Sequence, residues 1–203
     1  MSANAGYVHD TADVAPSAHV SAGAKIWHYA QVREGASIGE NCIIGRGAYV
    51  GTGVEVGDNC KIQNYALVYE PARLARGVFI GPAVVLTNDH FPRAINADGT
   101  AKSADDWEPV GVNILEGASI GASATCVAPV TIGRWALVGS GAVVVKDVPD
   151  FALVVGSPAR RVGWVGTAGH PLSRREDDLW ECPVTGSLYR EVAPDALVEV
   201  EKE

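Results

Sequence analysis

The stretch VEVGDNCKIQNYALVY, residues 54–69, contains a six-residue repeat and one place where that repeat changes. Upstream, an aliphatic residue followed by glycine recurs at every sixth position, and the last such pair before the change begins at Val56. The next aliphatic residue, Ile62, arrives on time, but Gln63 and Asn64 follow it instead of glycine. The repeat indicates the fold, and the two amides mark a candidate site within it.

The six-residue period extends over most of the chain. Aliphatic residues occupy every sixth position from Val8 to Leu86, and the fourth residue after each is usually small. A helical stripe recurs about every 3.6 residues and an ordinary strand alternates every two, so this period fits neither. It is typical of short strands and turns in a solenoid, where each hexad forms one flat side. We expect aliphatic side chains inside, small residues at the corners, and glycine or asparagine at turns that need unusual backbone angles.

One insertion interrupts the repeat. The pattern stops near Asn88 and resumes at Ile114, and the step from Leu86 to Ile114 is not a multiple of six. We therefore predict an inserted loop at about residues 89–110. Its residues are largely polar, and long insertions in solenoids often lie on the binding face, so we expect this loop to cover a substrate.

The composition is that of a globular chain. The 203 residues are 47% hydrophobic and 20% charged, with a net charge of −8. This acidic balance argues against nucleic acid as a partner, because phosphate binding needs a basic surface. Apolar runs fall short of the roughly 20 residues of a membrane span, and the N-terminus lacks the pattern of a secretion signal. We expect a cytoplasmic protein without a membrane partner.

The cysteines do not have the spacing of a zinc site. Cys42, Cys60 and Cys126 fall on interior positions of the repeat, which predicts small buried side chains with reduced thiols. Cys182 lies in a segment like half of a zinc ribbon, but it is the single cysteine there. We expect no metal.

The hexads resemble those of the left-handed parallel β-helix acyltransferases, the hexapeptide-repeat family. The segment VVVKDVPDFALVVGSPARRV, residues 143–162, is similar to the one that closes the helix in these enzymes. The resemblance covers about residues 8–165 and implies eighteen residues per three-sided coil. It predicts an all-β domain over residues 1–165. Residues 166–203 are expected to form a linker and a short hairpin that turns at residues 183–186.

The segment KIQN, followed by VFIGPAVVLTND and PRA, is similar to a subgroup that acetylates the 3-amino group of nucleotide-linked sugars. That resemblance implies a homotrimer with sites between subunits, acetyl-CoA as co-substrate, and a UDP- or dTDP-linked amino sugar as acceptor. It also places Asn64 at the active site. The alternative for Asn64 is a turn residue stacked in an asparagine ladder. Its place along the helix, close to the inserted loop, favours the functional interpretation.

Eighteen residues per coil also predicts which side chains share an edge. His28 and Asn64 should line one edge, roughly 10 Å apart at the 4.8 Å spacing of strands, and Glu70 and Asn88 should line a neighbouring edge. We interpret His28, Glu70 and Asn88 as candidate substrate contacts, although His28 beside Trp27 also suits a structural role.

Two loop residues are further candidates. His90 could act as a general base, because imidazole exchanges protons near neutral pH, or it could simply pack in the loop. Arg93 could bind a phosphate or carboxylate through its planar fork, or it could anchor the loop through an ion pair.

Lys146, Arg160 and Arg161 form the clearest basic cluster, near the end of the repeat. The resemblance implies that the coenzyme phosphates bind there and that backbone groups at Gly139 and Ser140 contact its pantetheine arm. A solvated charged face is the alternative.

Two other functions of this fold have sequence requirements that can be compared with this chain. A zinc carbonic anhydrase of the same fold needs three histidines, two of them close in sequence, and this chain has no such pair near the loop. A non-catalytic solenoid that binds ice would show flat threonine-rich faces, which are missing here. A binding or assembly role, or acyl transfer to another small amine or hydroxyl, stays open.

Overall fold

Strands of two residues recur every six residues, and each successive strand joins a different sheet. The computed structural model describes residues 6–200. Residues 1–5, from the N-terminus expected to lack a secretion signal, and residues 201–203, at the end of the expected extension, lie outside this range. Three parallel sheets wind around one axis, as the repeat predicts, and this is consistent with the left-handed β-helix that the family resemblance implies.

Sheet one contains, in spatial order, β1 (Tyr7–Val8), β4 (Lys25–Ile26), β7 (Ile43–Ile44), β10 (Lys61–Ile62), β13 (Phe79–Ile80), β16 (Ser119–Ile120), β19 (Leu137–Val138), β21 (Ala152–Val155) and the antiparallel β22 (Arg160–Trp164). Sheet two contains β2 (Asp13–Val14), β5 (Gln31–Val32), β8 (Tyr49–Val50), β11 (Leu67–Val68), β14 (Val85–Leu86), β17 (Thr125–Cys126) and β20 (Val143–Val144). Sheet three contains β3 (His19–Val20), β6 (Ser37–Ile38), β9 (Glu55–Val56), β12 (Arg73–Leu74), β15 (Val112–Ile114) and β18 (Val130–Ile132).

The core runs along the axis of the helix. In the two-residue strands of the helix the second residue is aliphatic, or cysteine in β17, and from Ile26 onward it is buried, as in the column Ile26, Ile44 and Ile62. The small residues at the corners, such as Ala66, are buried as well. This packing explains the period of six: each hexad supplies one inward aliphatic residue and one small corner residue.

Glycine has two different roles in the turns. Gly47 and Gly53 have a positive φ, of 61° and 66°, and sit at the third position after the inward aliphatic residue. Gly45 directly follows the aliphatic residue, and a Cβ there would lie 2.6 Å from the backbone nitrogen of Asn64 in the next coil. Glycine at that position is needed because two coils approach closely, rather than for its backbone angle.

The inserted loop leaves the helix after β14 and returns at β15. Leu74 of β12 pairs with Ile114 of β15, so the coils continue in register across the insertion, as the shifted phase of the repeat predicts. The loop contains a 3-10 helix, η1 (Ala104–Asp106), which Ser103 caps.

The C-terminal segment forms a separate antiparallel sheet of β23 (Ser173–Arg174), β24 (Leu179–Glu181), β25 (Leu188–Ala193) and β26 (Ala196–Val200). It has four strands where the sequence predicted one hairpin, and residues 183–186 lie between β24 and β25. Tyr189 of β25 packs against Phe151 with ring centroids 5.5 Å apart, so this sheet covers the last coil.

All four cysteines are buried and carry free thiols, as the repeat predicts for Cys42, Cys60 and Cys126. Within residues 6–200, no helix is long and apolar enough to cross a membrane.

Candidate active site

The turns that join sheet two to sheet three form one edge of the helix, which we call the loop edge. It carries Glu70, Asn88, Ala128 and Lys146 at equivalent positions of successive coils, each two residues after an inward side chain. The inserted loop replaces one of these turns. The amide of Val110 donates to the carbonyl oxygen of Asn88 at 3.1 Å and closes the base of the loop.

The loop encloses a cavity of about 410 Å³, which we call the loop cavity. This volume lies in the range of small-molecule sites. The residues that line it come from the loop and the adjacent turn: Asp89, His90, Phe91, Lys102, Asp106, Trp107, Glu108, Val110 and Pro129.

His90 is oriented within this cavity by a backbone contact. Its Nδ1 lies 3.1 Å from the carbonyl oxygen of Ala128, and its ring meets that of Phe91 edge-on at 4.1 Å. A carbonyl oxygen can only accept, so in this hydrogen bond Nδ1 carries the proton. Nε2 of the neutral ring then has a free lone pair, which is the arrangement that a general base requires.

The far wall of the cavity is held by η1. The Ser103 side chain accepts from the amide of Asp105, and the Asp106 carboxylate accepts from the amide of Ser103 at 2.9 Å. These bonds hold the pKa of Asp106 below its usual value. Trp107 follows directly, and its Nε1 is buried.

Asn64 lies on a different edge, the one that joins sheet one to sheet two, which we call the Asn64 edge. The predicted stacking is present: His28, Arg46, Asn64 and Ser140 occupy equivalent positions of this edge. His28 belongs to an aromatic stack at the N-terminal end of this edge. The centroid of the His28 ring lies 3.5 Å from that of the His9 ring.

The Asn64 side chain is part of a ladder between coils. Its Oδ1 accepts from the backbone amide of Arg46 at 2.9 Å, and its carbonyl oxygen accepts from the amide of Ala83 at 3.0 Å. Asp58 makes the equivalent side-chain bond to Glu40 on another edge, at 2.7 Å. The ladder interpretation of Asn64 therefore describes its side-chain oxygen.

The structure does not bring Asn64 and His90 together within one chain. Asn64 and Glu70 stand at opposite ends of β11, six residues apart, which spans up to about 20 Å at 3.3 Å per residue. Closeness to the loop along the axis therefore does not by itself place Asn64 and the loop in one site. Position along the axis ignores which edge a residue occupies.

The other substrate candidates differ in their surroundings. The Glu70 side chain lies over Gly51. Within residues 6–200, the Oε2 atom of Glu70 is buried without a hydrogen-bond partner. Burial raises the pKa of the neighbouring Tyr49, and the charge of Glu70 raises it further. Arg93 is exposed, and its Nη1 donates to the carbonyl oxygen of Pro92 rather than pointing into the loop cavity.

The basic cluster comes together at the end of the helix. Lys146, Arg160 and Arg161 line a second cavity of about 270 Å³. Arg161 is already engaged: it pairs with Asp195 at 3.2 Å and lies over the ring of Trp164 at 4.2 Å. Lys146 and Arg160 are the better placed of the three for a phosphate. Gly139 and Ser140 lie on the Asn64 edge, away from the loop cavity.

Sequence reasoning missed Trp107 and the carbonyl of Ala128. The one available signal for Trp107 was a large aromatic side chain in a largely polar insertion. No sequence signal identifies a backbone carbonyl as the partner of His90, because every residue carries one.

Comparison with known proteins agrees with the fold. The family model described as "Bacterial transferase hexapeptide (six repeats)" matches residues 17–52. A serine acetyltransferase of Escherichia coli K12 is 38% identical over 90 residues, which are 44% of this chain and 32% of that protein. The dTDP-3-amino-3,6-dideoxy-alpha-D-galactopyranose 3-N-acetyltransferase of Aneurinibacillus thermoaerophilus is 52% identical over 52 residues, 26% of this chain and 27% of that one.

A solved hexapeptide-repeat acetyltransferase of Vibrio cholerae O1 biovar eltor, complexed with acetyl coenzyme A, aligns with a TM-score of 0.51 at 22% identity. The alignment covers 65% of this chain and 72% of that one. The chain spans about a third of the length of the curated serine acetyltransferases that it matches. The six-residue repeat and the three-sided coil agree with these matches, which show similarity to bacterial hexapeptide-repeat transferases over part of the chain.

Proposed function

We propose that the protein is an N-acetyltransferase that moves an acetyl group from acetyl-CoA to the amine of a nucleotide-linked amino sugar, in the cytoplasm. The observation that carries this proposal is His90, held at the wall of the loop cavity with Nδ1 bound to the Ala128 carbonyl. The curated relatives it matches are named as acetyltransferases, which supports an acetyl donor.

In the proposed reaction, the acceptor binds as an ammonium group, releases one proton to water, and attacks the carbonyl carbon of the thioester as the neutral amine. His90 Nε2 takes the proton that the nitrogen loses as the new C–N bond forms. The C–S bond then breaks, and the protonated imidazole returns the proton to the departing thiolate. The products are the N-acetyl sugar and the free thiol of the coenzyme, and His90 ends in its starting state.

The charge of the loop cavity favours an amine acceptor. Three carboxylates, those of Asp89, Asp106 and Glu108, face one ammonium group, that of Lys102. These carboxylates attract an amine in its protonated form and repel an anionic group. The dTDP-amino-sugar acetyltransferase is the relative whose name fits this environment.

Acetyl transfer to the hydroxyl of serine is the second candidate, because serine acetyltransferases match a longer part of the chain. The carboxylate of a free amino acid would meet the acidic wall of the loop cavity, with Lys102 as its one cationic neighbour there. This repulsion is the reason to rank the sugar first.

A homotrimer with sites between subunits is part of the proposal. The outward side chains of sheet two include Tyr49, Leu67 and Val85, whereas those of sheet three include Glu55 and Arg73, which form an ion pair of 3.1 Å. Sheet two would therefore face a neighbouring copy, and sheet three would face water. Packing of this kind would let the Asn64 edge of one copy approach the loop edge of another.

The test is an assay with acetyl-CoA and four acceptors: dTDP-3-amino-3,6-dideoxy-α-D-galactose, its UDP counterpart, the corresponding 3-hydroxy sugar and L-serine. We expect transfer to an amino sugar and none to its hydroxy counterpart. Transfer to L-serine alone would establish the second candidate. Failure of all four acceptors, with no binding of acetyl-CoA by calorimetry, would leave a binding or assembly role.

A further inference from the structure

An aromatic side chain is exposed directly beside the proposed base. Phe91 is 76% exposed, and its ring meets the ring of His90 edge-on, with the two centroids 4.1 Å apart. The Asp89 carboxylate accepts from the backbone amide of Phe91 at 2.8 Å and holds the short segment that carries this ring. Phe91 is therefore fixed next to His90 with most of its surface open.

Single exposed apolar side chains are common on protein surfaces and by themselves indicate nothing. Phe91 differs from such a residue because it lines the loop cavity, where Val110 and Pro129 add further apolar surface. The wall of the cavity thus has an apolar part in addition to its three carboxylates. A ligand that matches both parts carries an apolar face as well as a cationic group.

The position of His90 determines where that apolar face lies. A group that gives a proton to Nε2 must come within about 3 Å of it. Because the rings of His90 and Phe91 are in contact, the part of the acceptor that carries the amine comes within reach of Phe91 as well.

The shape of a sugar suits this arrangement. A pyranose ring has C–H groups on its faces and hydroxyl groups around its rim, so one face can pack on an aromatic ring while the substituents at the rim stay free to react. Free serine is smaller and mostly polar, and it has no comparable apolar face.

We propose that Phe91 is a specificity-determining residue whose ring packs against the apolar C–H face of the pyranose ring of the acceptor, while the amine of that sugar reaches His90. This assignment rests on the proposed function, since it takes the acceptor to be an amino sugar. The contact removes apolar surface of Phe91 and of the sugar from water. It forms when the acceptor binds and does not change during the reaction, so it lowers KM rather than raising kcat.

The test compares removal of the ring with its retention. Phe91→Ala should raise KM about tenfold for the dTDP- or UDP-linked amino sugar that the unaltered protein acetylates, and should leave kcat within about threefold. Phe91→Tyr keeps an aromatic ring and should stay within about twofold of the unaltered protein in both constants. Ile95→Ala is the matched control and should leave KM unchanged, because Ile95 is an exposed apolar residue of the same loop that does not line the cavity.

Melting temperature and sedimentation separate this role from a structural one. Because Phe91 is exposed, Phe91→Ala should change neither measurement for the ligand-free protein. An unchanged KM would overturn the assignment, as would an equal rise of KM in Phe91→Ala and Phe91→Tyr. A fall in kcat alone would also overturn it, because Phe91 would then act only by holding His90. Smaller species in sedimentation of Phe91→Ala would place the ring between copies of the chain instead of against the acceptor.

Failure of the proposed function gives a different result. If the unaltered protein acetylates neither amino sugar, the proposed function fails and the assignment of Phe91 fails with it. Turnover of an amino sugar with no effect of Phe91→Ala on KM rejects the assignment alone.

Discussion

The side-chain oxygen of Asn64 accepts a hydrogen bond of 2.9 Å from the backbone amide of Arg46, which lies one coil away. Asp58 uses the same geometry toward Glu40. A short side chain with a carbonyl or carboxylate oxygen is therefore a means of joining coils at the corners of this helix. Asn64 differs from Asp58 in carrying an amide nitrogen, and that nitrogen is the part of the residue available for chemistry.

Because of this difference, mutation can distinguish the role of Asn64 in joining coils from its proposed role in orienting the acceptor amine. Asn64→Ala removes the bond to Arg46 and should lower the free energy of unfolding by about 1 kcal/mol. Asn64→Asp keeps an acceptor oxygen and should unfold as the unaltered protein does. If the amide nitrogen orients the acceptor amine, Asn64→Asp should still lower kcat/KM by about 10², or about 2.7 kcal/mol. Full activity of Asn64→Asp would show that Asn64 only joins neighbouring coils and does not orient the acceptor.

His90→Ala should lower kcat by about 10² to 10⁴, because it removes the proposed proton acceptor. The melting temperature should change little, since His90 is exposed apart from its contact with the Ala128 carbonyl. His170→Ala, at an exposed site in the C-terminal segment, is the control and should keep full activity. Turnover is measured as release of the coenzyme thiol. A normal rate for His90→Ala would show that His90 is not the proton acceptor.

Replacement of residues 95–106 by a short Gly/Ser linker should abolish activity and leave thermal unfolding almost unchanged. The loop is closed on itself by local contacts, such as the bridge between Ile95 and Ala101, and most of its side chains are exposed. The replacement removes Lys102 and Asp106 from the cavity wall. A large drop in melting temperature would instead make the loop part of the structural core.

Leu67→Glu should disrupt the proposed trimer, because it puts a charge on the apolar outer face of sheet two. Asn113→Glu puts the same charge on an exposed position of sheet three and is the matched control. Sedimentation should give a trimer for the unaltered protein and for Asn113→Glu, and smaller species for Leu67→Glu. A stable monomer of the unaltered protein, 21.2 kDa, would contradict the trimer and the shared site.

Alkaline pH should weaken the fold partly through Cys126. Burial raises the pKa of Cys126 to about 12, above the ordinary thiol value of about 8.5. The folded protein then holds this proton more tightly than the unfolded chain does. The resulting stabilisation is complete below about pH 8.5 and is lost as the pH rises toward 12.

Melting temperatures at pH 7.5 and pH 10 test this linkage. The alkaline decrease should be smaller for Cys126→Ala than for the unaltered protein, whereas a decrease of equal size in both would show that other groups account for it. In the native protein at pH 8, Cys126 should not react with a thiol reagent.

The sequence alone predicted the parts of this protein that depend on repetition. The column from Ile26 through Ile62 repeats one local environment, so the pattern of aliphatic and small residues indicated strands, corners, core and the phase break at the loop. His90 and the cluster around Lys146 could also be proposed as candidates from the sequence, because histidine and basic residues are conspicuous by chemical type. The size of the C-terminal sheet was underestimated, since its strands lack the repeat.

Only the tertiary structure decided which of these residues can act together. Asn64 and His90 are close along the axis but lie on different edges, and the edge depends on how the chain turns around the axis. The tautomer of His90 follows from a carbonyl 38 residues away. A repeat is a local property and can be read along the chain, whereas a site depends on contacts between distant segments that exist only after folding.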